Sequence, residues 1–173
     1  GNVMASRGSV IPLFVQLIKE NKPLTITDPS MTRFLMTLDE SVELVMHAFE
    51  KGENGDILVQ KSPASTIQTL ALALLKLFNA NNEIKIIGTR HGEKLFESLL
   101  SREELLRVKE TEKHFVIPID HRGLNYNSYF AEGSIDLASL SDYTSHNSIR
   151  LGVEEVIDLL LKVEFIKKLI DKN

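Results

Sequence analysis

Asp56-Ile-Leu-Val-Gln60, Ser65-x-x-Gln68 and Ile84-Lys-Ile-Ile87 decide the fold class. The first is a short apolar run between Gly55 and Ser62-Pro63, the pattern of a strand buried on both faces. The second is a capping signal that opens a helix through Phe78, apolar at Ile67, Leu70, Ala71, Leu74 and Leu77. The third reads as a strand ending at Gly88. Strand, helix and strand in succession predict an α/β layer arrangement.

Upstream, Ser9-Val-Ile-Pro12 reads as a helix start, because Ser can cap, Pro12 is tolerated in the first turn, and Val10, Leu13, Phe14, Leu17 and Ile18 follow at helical spacing. Leu24-Thr-Ile-Thr27 alternates as a short strand does, with Thr25 and Thr27 on one face, before the turn Asp28-Pro29-Ser30. Thr37-x-x-Glu40 is a capping box opening a helix whose apolar stripe is Val42, Val45, Met46 and Phe49, closed by Gly52. Downstream, Leu95 to Leu100 is ambiguous between strand and helix. Ser101-x-x-Glu104 caps a short helix to about Lys109, and Phe115 to Ile119 is extended. Residues 121–151 contain no Lys and no sustained period, which predicts a segment that is mobile, functional or packed on something else, here a lid or an interface arm. Gly152 to Ile170 reads as one amphipathic helix with acid-to-base pairs four residues apart. The chain thus divides into a lobe (1–120), an extended arm or latch (121–151) and a C-terminal helix (152–173).

Composition bounds the function classes. The chain has 173 residues, 20 Lys+Arg against 24 Asp+Glu, 43% hydrophobic residues and no Cys, enough for one domain's core. The run from Ser62 to Leu75 is free of charge but has only 14 residues, short of the roughly 20 a membrane-spanning helix needs. Without Cys there is no disulfide, thiolate-held zinc or thiol nucleophile, and a reducing, cytoplasmic setting is the default expectation. A net charge of −4 with no dense basic block argues against nucleic acid as partner. The five His show no metal-ligand spacing, and neither a calcium loop, a GxGxxG turn nor a P-loop occurs. The opening Gly-Asn-Val-Met-Ala has no initial Met, basic n-region or apolar h-region, so a fragment is expected.

Three clusters could carry chemistry. Asn2 to Pro12 sets Arg7, Gly8 and Ser9 before a helix, where free N–H groups could hold a phosphate or a base carbonyl, or where Gly8-Ser9 is only a turn and cap. Asp28 to Arg33 places Met31, suited to a flat ring, near Arg33, suited to a phosphate; the alternative is a surface Arg beside a core Met. Thr89-Arg90-His91-Gly92-Glu93-Lys94 follows the end of an apolar strand, where ligands of open α/β sheets bind, or is a solvated turn. His91 has no accompanying nucleophile motif and is read as non-catalytic.

Residues 1–14, 24–34, 59–66 and 88–95 together resemble the C-terminal, substrate-binding half of UDP-N-acetylglucosamine 4,6-dehydratases of the inverting, 5-epimerising type. These are extended short-chain dehydrogenase/reductases that act in polysaccharide biosynthesis. The resemblance implies an α/β fold of mixed short strands and helices belonging to a Rossmann-type enzyme. It implies that the glycine-rich turn for NADP (or NAD) and the catalytic Lys lie in a Rossmann half outside this chain. Tyr126 and Tyr129 are followed four residues on by Phe130 and Gly133 rather than Lys, so no catalytic residue carries over.

What does carry over is a binding set for a UDP-sugar such as UDP-N-acetylglucosamine. Asn2 would touch the sugar or diphosphate, Ser9 and Val10 the phosphate or uracil, with Arg7 a further partner. Thr25, Thr27 and Met31 would line the uridine pocket, Arg33 would bind the diphosphate, and Arg90 and Glu93 would hold phosphate and ribose. In such enzymes hydride leaves sugar C4, water is lost across C5 and C6, hydride returns to C6 and C5 is inverted. The resemblance leaves open a C4 epimerase or reductase lobe, or a non-catalytic nucleotide-sugar-binding module. A homo-oligomer is expected.

Overall fold

The computed structural model describes residues 3–119 and 141–171. The elements, in chain order, are α1 (Val10–Lys19), β1 (Leu24–Ile26), β2 (Thr32–Phe34), α2 (Leu38–Lys51), β3 (Ile57–Gln60), β4 (Ala64–Thr66), α3 (Ile67–Leu77), β5 (Ile84–Ile86), β6 (Ser98–Leu100), α4 (Arg102–Leu105), β7 (Lys109–Glu110), β8 (His114–Ile117), β9 (Tyr143–Thr144), α5 (Val153–Leu160) and α6 (Glu164–Ile170). The mixed α/β character holds, but β3, α3 and β5 do not form one layered unit. β5 pairs in parallel with β1, whereas β3 pairs antiparallel with β8, which also takes β7.

The main core lies where α1, α3, α5 and α6 cover the β1–β5 pair. Phe14, Ile18, Leu24, Ile26, Leu70, Leu74, Val156, Leu160 and Ile166 fill it. These are the positions at which helical and strand periodicity bring apolar side chains to one face. A smaller cluster joins Leu100, Phe115 and Ile117 to Val59, Leu105, Val108 and Tyr143. Between the two cores, β2 pairs with β4, and the strand leads directly into α3: Thr66 is its N-cap, accepting from the Thr69 N–H at 2.9 Å. Ser65, the cap expected from the sequence, is buried in β4 because pairing with Arg33 claims its backbone.

Several boundaries move for physical reasons. The capping box at Ser101 forms, but its helix stops at Leu105, since Lys109 and Glu110 are drawn into pairing with β8. The expected C-terminal helix is two helices, broken at Val163, whose extended backbone lets it and Ile166 turn back onto the core. Glu164 and Lys168 make the anticipated pair at 3.3 Å, while Glu154 reaches across to Lys76 instead. Within the expected arm, residues 120–140 lie outside the described residues. Residues 141–151 pack on the lobe: β9 pairs with β6, and Ala64 bonds to both Ile149 and Leu151.

The capping box of α2 is complete, with the Thr37 N–H donating to Glu40 Oε2 at 2.7 Å and the Glu40 N–H to Thr37 Oγ1 at 3.2 Å. Its stripe, however, is not in the core. Leu38, Val42, Val45, Met46 and Phe49 are all exposed, Phe49 at 82%. β3 is likewise half-exposed rather than buried on both faces, with Ile57 beside this surface in the same condition. Contiguous apolar exposure of this kind favours association. Light scattering at high concentration should show self-association, and Phe49→Ser should shift the chain toward monomer; a monodisperse monomer before substitution would remove the apolar face as a driver.

His47 of α2 stacks on His114 of β8, with ring centroids 4.5 Å apart and planes inclined by 20°. Burial, then the nearby His47 and Lys113, lower the His114 pKa below its usual 6.5. The unfolded chain therefore takes up this proton first, and stability falls as pH drops below about 6.5. Urea midpoints measured from about pH 8 to 5 should decline, and His114→Gln should flatten that decline.

Candidate functional site

A cavity of about 480 Å³ opens where the N-terminus of α1, the ends of β1 and β5, and β2 converge. Its volume lies within the roughly 300–1,000 Å³ of ordinary small-molecule sites. The parallel register, Leu24 with Ile84 and Ile26 with Ile86, puts the carboxyl ends of two strands at the same edge. The Ile87 N–H donates to the Ile26 carbonyl at 2.9 Å and extends the pairing to the cavity mouth. Ligands of open α/β sheets gather at such edges.

Of the ten residues singled out from the sequence, eight line this one cavity: Ser9, Val10, Thr25, Thr27, Met31, Arg33, Arg90 and Glu93. Arg7 is exposed and outside the lining, because the turn before α1 directs Ser6 and Ser9, not Arg7, toward the cavity. Asn2 lies outside the described residues. The lining also takes in Ser6, Phe34, Ile67, Leu70 and Ile87, which the sequence reading did not select. Ile67 and Leu70 were legible only as apolar positions of a helix; that the helix starts at the cavity follows from the β2–β4 pairing.

Ser9 caps α1 by position but not by its side chain. Its Oγ is buried and lacks any hydrogen-bond partner, and Ser9 is one of the lining residues. A buried hydroxyl without a partner costs about 1–3 kcal/mol, a state that Ser62 and Ser148 share. The α1 N-terminus adds free N–H groups and the positive end of a helix dipole.

The middle cluster is held by a short turn. Asp28 Oδ1 accepts from the Ser30 N–H at 2.8 Å and from its hydroxyl at 2.6 Å, and these bonds hold the Asp28 carboxyl below its usual range. The turn buries Met31, whose sulfur accepts from Thr27 Oγ1 at 3.9 Å and from Arg33 Nη2 at 3.0 Å. Arg33 also donates to the carbonyls of Thr32, at 2.7 Å, and Lys94, at 3.0 Å, and its Nε stands 3.5 Å from Glu97 Oε1. It is therefore both part of the cavity wall and a strut that ties β2 to the loop after β5.

That loop carries Arg90 and Glu93 on the rim. Gly88 and Gly92, at φ of +82° and +86°, flank Arg90 in a backbone region that side chains with a Cβ rarely enter. The Arg90 N–H donates to Glu93 Oε2 at 3.2 Å, closing the turn on itself. The Arg90 guanidinium is exposed, and His91 is outside the lining. The arrangement offers cations and N–H donors for a phosphate chain, and hydroxyls beside a thioether for a flat ring; among the described lining residues no nucleophile is paired with a base.

Among the described residues no helix is long and apolar enough to cross a membrane. Two family models match the chain, one described as polysaccharide biosynthesis protein over residues 1–119 and one as polysaccharide biosynthesis protein C-terminal over 120–167. Proteins named UDP-glucose 4-epimerase from Rickettsia bellii (strain OSU 85-389) and Rickettsia rickettsii (strain Sheila Smith) are each 60% identical over 168 residues, which is 97% of this chain and 49% of theirs. The chain spans about half the length of these relatives. The X-ray structure of Pen from Bacillus thuringiensis superposes with a TM-score of 0.73 at 36% identity, over 94% of this chain and 47% of that one. The shared fold is consistent with the C-terminal portion of an extended short-chain dehydrogenase. With the first model spanning 119 of 173 residues, the chain belongs to the polysaccharide biosynthesis protein family.

Proposed function

We infer that this chain is the UDP-sugar-binding lobe of a sugar-nucleotide 4,6-dehydratase with 5-epimerase activity, and that it is catalytically inert by itself. The observation that carries the binding role is the convergence of Ser9, Arg33 and Arg90 with Thr25, Thr27 and Met31 on one cavity of nucleotide size. In this reading the diphosphate lies between the α1 N-terminus and the two arginines. The uridine lies against Met31 and the threonines, and Glu93 accepts from the ribose. Asn2 is kept as a candidate contact of the sugar or diphosphate, and Arg7, outside the lining, is not.

The chain's own residues do not suit a nicotinamide dinucleotide, because the sequence lacks a glycine-rich turn. NADP or NAD, which supplies hydride acceptance and return at the sugar, is therefore assigned to the Rossmann half. This lobe's work is to fix the sugar's position by gripping the nucleotide, so that binding energy far from the reacting carbons orients them. The cytoplasm, where nucleotide sugars and nicotinamide cofactors are both at hand, is the setting that suits this role.

A second reading, C4 epimerisation, is favoured by the names of the Rickettsia relatives. Both reactions use the same nucleotide grip and diverge in what happens to the 4-keto sugar. Incubating the complete protein with UDP-N-acetylglucosamine and UDP-glucose and identifying products by NMR separates them. A 4-keto-6-deoxy sugar inverted at C5 supports the dehydratase; a sugar inverted at C4 and otherwise intact overturns it. In the same protein Arg90→Ala should weaken UDP-sugar binding by roughly tenfold or more, the scale of a charge-assisted hydrogen bond of about 1.5–3 kcal/mol. Unchanged affinity would remove Arg90 from the site.

Ser9→Ala tests the orphaned hydroxyl. Removing an unpartnered group should leave stability unchanged or raise it by up to about 1 kcal/mol, while UDP affinity falls roughly three- to tenfold. A loss of stability with intact affinity would make Ser9 a structural residue.

A further inference from the structure

Arg33 is the innermost cation of the cavity, and it is not alone. Glu97 Oε1 stands 3.5 Å from its Nε, with the two side chains only 21% and 31% exposed. Arg33 lines the cavity, whereas Glu97 is not among its lining residues.

Its placement is built, not incidental. The Glu97 N–H donates to Ser145 Oγ at 2.9 Å, and the Ser145 N–H donates to the Glu97 carbonyl at 2.8 Å. Ser145 Oγ in turn meets Thr32 Oγ1 at 2.8 Å and donates to the Thr32 carbonyl at 3.1 Å. Ser145 and Thr32 are fully buried, and Thr32 Oγ1 also meets His146 Nδ1 at 2.8 Å. A buried, satisfied hydroxyl network resists rearrangement. It locks the backbone of Glu97 to the residue that precedes Arg33 in β2.

The remaining Arg33 contacts are neutral acceptors: the Thr32 and Lys94 carbonyls and the Met31 sulfur. They orient the fork without altering its charge. Among the described residues, Glu97 is the carboxylate paired with this charge. A carboxylate beside a phosphate-binding arginine lowers the positive potential felt in the cavity, and screening is reduced because both groups are partly withdrawn from water.

We propose that Glu97 is an affinity-setting residue of the anion site, holding down its grip on nucleoside diphosphates by partly neutralising Arg33. The proposal rests on the reading of the cavity as a nucleoside-diphosphate site. Its functional sense is turnover: substrate and product of a sugar modification share the same nucleotide, so excess grip on it would retain product and add nothing to the chemical step.

Glu97→Gln isolates the effect, since it keeps the shape and the acceptor facing Arg33 Nε and removes only the charge. Binding of UDP and of uridine to the 173-residue chain is to be measured by calorimetry at low and high salt. Glu97→Gln is expected to tighten UDP binding about three- to tenfold at low salt, with the gain shrinking in roughly 1 M salt, and to leave uridine affinity unchanged. In an Arg33→Met background the same change should have little effect, because the neutralised partner is gone. Unchanged or weaker UDP binding by Glu97→Gln, in a chain that otherwise binds UDP, overturns the proposal and makes Glu97 a support for the fork. Failure of the unsubstituted chain and both variants to bind UDP overturns the nucleotide reading together with the proposal.

Discussion

The parallel pairing of β1 with β5 is the constraint on which the rest depends. Its register, Leu24 with Ile84, joins segments 60 positions apart and buries Leu24 and Ile26 against the helices. Parallel strands need a crossover between them, and α2, β3, β4 and α3 all lie in that connection. α3 packs on α1 and α5, so the same burial that seals the pair also sets the α1 N-terminus over the strand ends. Hydrophobic burial thus sets the position of the cavity before any polar group is considered.

Polar groups then shape what the cavity can hold. β2 crosses the site between the two cores, and its Thr32 and Arg33 do opposite things. Thr32 turns inward and is sealed with Ser145; Arg33 faces the cavity and ties down the loop bearing Arg90 and Glu93. Residues 141–151 contribute to the site only through this node, at second hand. α2 stands apart from both cores, with its apolar stripe exposed.

Much was legible in the chain before folding. The capping boxes at Thr37 and Ser101 are short-range chemistry and formed as read. The three polar clusters were visible as candidate groups, and six of their eight named residues, together with Thr25 and Thr27 of the preceding strand, line one cavity. What misled was local pattern where competition was long-range: Ser65 looked like a cap but is claimed by β-pairing with Arg33, and the C-terminal periodicity ran through Val163, where core burial bends the chain. Ile57 to Val59 looked like a strand buried on both faces, because an apolar run reports what a segment can bury, not whether a partner is present.

Sequence alone determined the helix starts at Thr37 and Ser101, the absence of cysteine chemistry and of a dinucleotide turn, and which cations and hydroxyls stand in the cavity's segments, since each depends on residue type and near neighbours. Tertiary structure decided that β5 joins β1 rather than β3, that Ser9 Oγ is left without a partner while Arg7 is outside the cavity lining, and that Glu97 pairs with Arg33. These depend on contacts between residues tens of positions apart, whose closure is paid for by burial of the whole core and leaves no mark in local spacing.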